Sequence, residues 1–210
     1  MSTSQVKMLR FDTGMRTIVI AVTSFLCVAL ALVSYRYLLG TNEVPPVVAT
    51  NLFKHPWLVL HVAGAATALL VGPLQFSSAV RSRLPVLHRS LGRVYVVSCL
   101  LGGATGFVLA LGASTGWITT AGFGGLAIAW IITTSLAWRR AMQGQFVEHR
   151  AWMIRSFALT FAAVTLRLYL PLLPLLSIPF DQGYRAISCL AWVPNLMVAE
   201  LYLRHRRSVF

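Results

Sequence analysis

The sequence predicts an all-α fold: a polytopic integral membrane bundle of six transmembrane helices, with the N and C termini cytoplasmic. Three observations carry this reading. Of the 210 residues, 57% are hydrophobic and 11% charged, whereas soluble domains carry about 25% charged residues. Six apolar runs are each long enough for a hydrocarbon core, which a helix of about 20 residues crosses. The basic residues gather at the ends of those runs. A mean hydropathy of +0.73 agrees. The balance of 18 basic to 5 acidic residues gives a formal +13. In a soluble protein that excess would point to nucleic acid. Beside apolar runs it is an orientation signal, and no nucleic-acid partner is expected.

Residues 1–16 form a polar, basic head, 17–203 the membrane domain and 204–210 a basic tail. Within the domain, spans are expected at about 17–39, 56–79, 92–113, 121–138, 152–176 and 185–203. The first run exceeds the roughly 7–15 apolar residues of a signal peptide and lacks a small-residue cleavage site, so it reads as an uncleaved anchor. Lys7, Arg10 and Arg16 precede span one. Arg81, Arg83, Arg89 and Arg93 lie between spans two and three, and Arg139, Arg140 and Arg150 between four and five. Arg204, Arg206 and Arg207 follow span six, while the alternate loops hold Arg36, Lys54 and Arg185. Thirteen basic residues against three on alternating sides put both termini in the cytoplasm.

The loop from Gly40 to Pro56 carries Pro45, Pro46 and Pro56 and is the longest connection. Gly112 to Ala121 is short and uncharged, so spans three and four form a tight hairpin. Pro171, Pro174 and Pro179 should kink or fray the far end of span five, because proline removes an amide donor and clashes with the preceding turn.

Span two presents His61, Ala65, Ala68, Gly72 and Gln75 on one helical face. Such a stripe, small in the middle and polar at its ends, suits a helix packed closely against another. Gly102 and Gly106 give span three the same close-packing character. Span five aligns Ser156, Thr160, Ala163 and Arg167. An arginine inside a span costs upward of about 2.5 kcal/mol unless it meets a partner or a wet cavity. Arg167 therefore asks what fills the bundle. At about 1.5 Å per residue it lies about 22 Å above the cytoplasmic start of span five, level with His61. These two define an outer polar layer. An inner layer would hold Gln75, His88, His149, Arg155 and Glu200. Glu200 is the one acidic residue within a span, and Arg155 is its expected ion-pair partner.

His88 and His149 stand in His-Arg pairs at cytoplasmic span entrances. They read either as interfacial residues among headgroup-binding arginines or as weak candidates for a metal or bis-histidine haem site. Glu148 neighbours His149, but adjacent helical residues point about 100° apart. His55 and His205 read as exposed boundary residues. Cys27, Cys99 and Cys189 stand singly in spans and read as packing residues. Serine-nucleophile motifs, phosphate-binding glycine loops and paired carboxylates are missing, which disfavours hydrolase and kinase chemistry and leaves open whether the chain is an enzyme.

The strings His61-Val-Ala-Gly64, Gly72-Pro-Leu-Gln-Phe76, His88-Arg89, Gly92-Arg93-Val-Tyr95, His149-Arg-Ala-Trp-Met-Ile-Arg155 and Thr165-Leu-Arg167 occur in that order. Together they resemble the predicted bacterial membrane proteins grouped as domain of unknown function 2306, over about residues 55–170. The resemblance implies a multi-pass protein of the bacterial cytoplasmic (inner) membrane and carries no assigned substrate. Its recurrent polar positions map onto His61, Gln75, His88, Arg89, Arg93, His149, Arg155 and Arg167.

The reading is an integral membrane protein of undefined activity with a polar histidine and arginine interior. One alternative is a redox-associated protein binding haem or quinone. Another is a small transporter using Arg167 and His61, although no pair of broken helices in corresponding halves supports it. The expected partners are the lipid bilayer, anionic headgroups at the cytoplasmic rim, and a second copy packed through the glycine faces.

Overall fold

The computed structural model describes residues 3–39 and 46–207, with side chains described for 14, 17–38 and 48–206. The side chains of Lys7, Arg10, Arg16, Pro45, Pro46 and Arg207, to which the charge and loop readings refer, lie outside the described residues. Every regular element described is helical. In chain order these are α1 (Thr3–Tyr35), continued by a 3-10 turn (Arg36–Leu39), α2 (Pro46–Ala49), α3 (Lys54–Gln75), α4 (Ser78–Arg83) and α5 (Pro85–Leu111). Then follow α6 (Trp117–Met142), α7 (Phe146–Thr160), α8 (Ala162–Tyr169), α9 (Leu172–Leu175), α10 (Phe180–Leu190) and α11 (Val193–Arg207). Six segments are long and apolar enough to cross a membrane: 17–38, 54–75, 85–111, 117–142, 146–175 and 180–206.

Helices α3, α5, α6 and α7 make the central group. Helix α1 packs on α3 and α8, α10 on α6, and α11 on α7. Without a hydrophobic driving force between helices in lipid, such packing depends on close backbone approach. Gly64 provides it: a Cβ there would lie 2.7 Å from both the backbone nitrogen of Gly102 and the carbonyl oxygen of Ser98. Gly102 in turn faces Ala65 and the Trp130 ring, and Gly103 faces Ile131. These glycine faces are therefore consumed within the bundle, and a homo-oligomer would need another surface.

The α5–α6 connection closes at Gly116, whose φ of 101° lies in the left-handed region that glycine adopts without steric penalty. Three bonds staple this end: Asn51 Nδ2 to the Leu109 carbonyl (2.8 Å), Leu52 N to the Gly112 carbonyl (3.1 Å) and Arg185 Nε to the Thr115 carbonyl (2.8 Å). The opposite connection turns at Gly144, φ 71°. Between spans two and three, α4 is capped by the Ser77 hydroxyl, which accepts from Val80 N at 3.3 Å.

Two spans depart from the sequence expectation. Span five breaks at Phe161, ten residues before its first proline, where the sequence predicts no break; its second break, after Tyr169, falls at Pro171, where the sequence predicts one. The Thr160 hydroxyl donates to the Ser156 carbonyl at 3.0 Å, a back-bond of the kind that bends helices. Span six divides at Ala191 and Trp192, just before Pro194, which lacks the amide a continuous helix would use. Asn195 spans the break, donating Nδ2 to Thr165 Oγ1 (2.8 Å) and to the Ala191 carbonyl (3.0 Å). Trp192 Nε1 reaches the Gly122 carbonyl at 3.1 Å. All three breaks fall in the last two spans, so they do not pair across corresponding halves.

Candidate functional site

The breaks leave room at the α5–α6 end of the bundle. A cavity of about 390 Å³ opens there, and its wall is mostly apolar side chains of α3, α5, α6, α8 and α10. His61 and Arg167 both line it. So do Ala65, Gly102 and Gly106.

His61 is held from one side. Its Nδ1 lies 2.8 Å from the Gly102 carbonyl oxygen, which only accepts, so Nδ1 carries the hydrogen. In the neutral ring Nε2 is then an acceptor, and no described residue bonds to it. Gly106 makes the ring's place: a Cβ there would lie 2.9 Å from Nδ1.

Arg167 donates Nη1 to the Ala163 carbonyl at 3.1 Å and Nη2 to Ser34 Oγ at 3.3 Å. Ser34 is itself buried in α1. A guanidinium carries five N–H donors, so most of them have no partner among the described residues. Among the described residues it has no carboxylate partner, and no acidic side chain lines the cavity. A membrane-embedded arginine ordinarily pairs with an anion, backbone carbonyls or water.

Trp130 and Thr160, which line the cavity as its floor, belong to a closed hydroxyl network that sequence reading caught only in Ser156 and Thr160. Trp130 Nε1, a donor only, gives its hydrogen to Thr160 Oγ1 at 3.0 Å, and Thr160 gives its own to the Ser156 carbonyl. The Tyr95 hydroxyl therefore donates to Thr160 (2.8 Å) and accepts from Ser156 Oγ (3.1 Å), which accepts from Thr134 Oγ1 (2.7 Å). Each hydroxyl hydrogen is assigned, so the floor offers the cavity no spare donor. The role of Tyr95 was missed because its partners, Ser156 and Thr160, come from a distant span. Tyr184, on the cavity wall between Phe123 and Phe180 (ring centroids 5.5 and 5.4 Å away), was missed as well, since it meets Phe123 from a distant span.

The inner group is differently arranged. Arg155 and Glu200 form a bidentate pair, Nε to Oε1 at 2.5 Å and Nη2 to Oε2 at 3.0 Å. The Arg155 guanidinium also lies 4.6 Å from the Trp152 ring centroid. His149 Nδ1 donates to the Ala137 carbonyl at 2.8 Å, and Glu148 pairs with Arg140 at 2.9 Å instead of joining a ligand set. Gln75 is buried against Gly92, and its Nε2 and His88 Nδ1 are buried without partners. Arg89 and Arg93 are exposed on α5, so they do not belong to the polar interior: their register on the helix turns them outward. No three His, Cys, Asp or Glu residues gather into a metal site among the described residues. Cys27 and Cys99 are buried and Cys189 exposed.

Six apolar spans around a partly polar interior define an integral, multi-pass membrane protein. The chain belongs to the family of predicted membrane proteins designated DUF2306, whose model matches residues 58–203. No curated protein and no solved structure matches it.

Proposed function

We propose that this protein binds a lipophilic small molecule whose polar head carries a hydrogen-bond acceptor, with the head at Arg167 and His61 and the apolar body in the cavity. The observation that carries this is the Arg167 guanidinium lining an apolar cavity with no acidic partner among the described residues. A cavity of this size falls in the range of small-molecule sites, which combine apolar walls with a few placed polar groups. Quinones and fatty carboxylates both offer the acceptor that Arg167 requires. Haem ligation by His88 and His149 has no comparable support, because the cavity holds a different histidine, His61.

Native mass spectrometry of protein purified in a mild uncharged detergent tests the reading. A small-molecule adduct on the wild type that disappears in a folded Arg167→Gln variant is the expected result. Equal adducts on both proteins would refute it.

The charge distribution supports an orientation with the α6–α7 connection and both termini in the cytoplasm of a bacterial inner membrane. Exposed Arg89 and Arg93 would then meet anionic headgroups at the inner rim. Reporter fusions at the C terminus and in the α5–α6 connection check the orientation: cytoplasmic signal at the first site and periplasmic signal at the second are expected.

A further inference from the structure

The two polar groups of the cavity differ in kind. Arg167 is a donor with fixed charge. His61 has spent its Nδ1 hydrogen on the Gly102 carbonyl, so in its neutral form it presents an acceptor. A bare anion satisfies Arg167 but sets its lone pairs against the lone pair of Nε2. A neutral carbonyl compound has the same conflict. A head that both accepts and donates meets both demands, and an oxygen acid does so compactly: it accepts from the guanidinium while an O–H hydrogen points at the imidazole.

We propose that the cavity takes a lipophilic carboxylic acid together with one proton, the proton held between the ligand oxygen and His61 Nε2. This rests on the ligand-binding reading above. The balance is simple: a carboxylate in water and one proton from the buffer enter, and the site holds R–CO–O–H against Nε2, or the ion pair formed when the proton moves to nitrogen. No bond to carbon changes.

The groups around His61 agree with this. From α8 comes Arg167, from α10 Tyr184, and from the turn after α1 Tyr37; from α5 come the Gly102 carbonyl and Gly106. None is a carboxylate that would supply a resident counter-ion. The network hydroxyls are committed to one another, and of the other hydroxyls that line the cavity, those of Tyr37, Thr119 and Tyr184, none is bonded to Nε2, which leaves that nitrogen open to a ligand donor.

The test is calorimetric titration of decanoate into the full-length protein, held in an uncharged amphipathic polymer at pH 7.5. At this pH a simple carboxyl group, with a reference pKa near 4.3, is ionised in water. Repeating the titration in buffers of different ionisation enthalpy counts the protons taken up. The expected count is about one proton per decanoate, and affinity should rise about tenfold per unit fall in pH by linkage. His61→Asn, with His61→Gln as a second variant should the first misfold, should bind more weakly and take up none. Saturable binding with no proton uptake by the wild type, or uptake that persists in both histidine variants, would overturn the proposal and leave the cavity reading standing. Loss of saturable decanoate binding altogether, or binding indifferent to Arg167→Gln, would overturn both.

Discussion

His61 donates its Nδ1 hydrogen to the backbone carbonyl of Gly102 across 2.8 Å, tying α3 to α5 through one side chain. The same carbonyl also receives the Thr105 hydroxyl at 3.3 Å. The bond fixes which ring nitrogen faces the cavity, so one contact serves packing and recognition together. His61→Ala should lower stability by about 1 kcal/mol, the scale of an interhelical hydrogen bond in a membrane protein. Thermal unfolding followed by alkylation of the buried thiols Cys27 and Cys99 would register the loss, ideally with Cys189→Ala removing the exposed thiol.

Gly64 is where α3 and α5 touch most closely. Gly64→Ala puts a methyl group 2.7 Å from two backbone atoms of α5, which have no rotamer by which to escape. The helices must separate, at a cost of about 1–3 kcal/mol from overpacking. The same alkylation assay should show a clear fall in midpoint, whereas Gly14→Ala, with open space around its Cβ, should leave the midpoint unchanged.

The floor network predicts an asymmetry. Tyr95→Phe removes the hydroxyl between Ser156 and Thr160 and strands the Ser156 hydrogen, which should cost about 1–2 kcal/mol. Thr134→Val removes only the terminal donor of the chain and keeps the side-chain shape, so its cost should be smaller. Equal midpoints for the two variants would contradict the assigned bond directions.

Arg155 and Glu200 hold α7 to α11. The Glu200 side chain is 36% exposed, so solvent screens the pair and its coupling should be on the order of 1 kcal/mol. A double-mutant cycle with Arg155→Met and Glu200→Gln measures this directly. Arg155→Lys should recover little, because lysine lacks the fork that engages both carboxylate oxygens.

The sequence made much of this legible, for definite reasons. Six apolar runs and a face repeating every three or four residues follow from helix geometry, which is why His61, Ala65 and Gln75 fall on the packed side of α3. Arg167 stood out because a charge in an apolar run has few excuses. The break at Phe161 was not legible, since its visible cause is one hydroxyl bonding backward from Thr160. The break at Trp192 left a trace in Pro194, masked by the apolar residues around it. Tyr95, Trp130, Tyr184 and Asn195 escaped because their roles depend on partners from distant spans. Arg89 and Arg93, which the family strings set among the recurrent polar positions, lie exposed on α5, because a place in a motif does not set the face a residue occupies.

The central claim is that the cavity is a binding site for an apolar molecule with its head at Arg167. Photolabelling with decanoic acid carrying a terminal diazirine, followed by peptide mapping, tests it most directly. Labels on cavity-wall residues such as Leu109, Phe123 and Leu170, competed by unlabelled decanoate and lost in Arg167→Gln, are the predicted result. Labels confined to outward-facing residues such as Phe25, Val97 and Val198, unaffected by competitor, would contradict it.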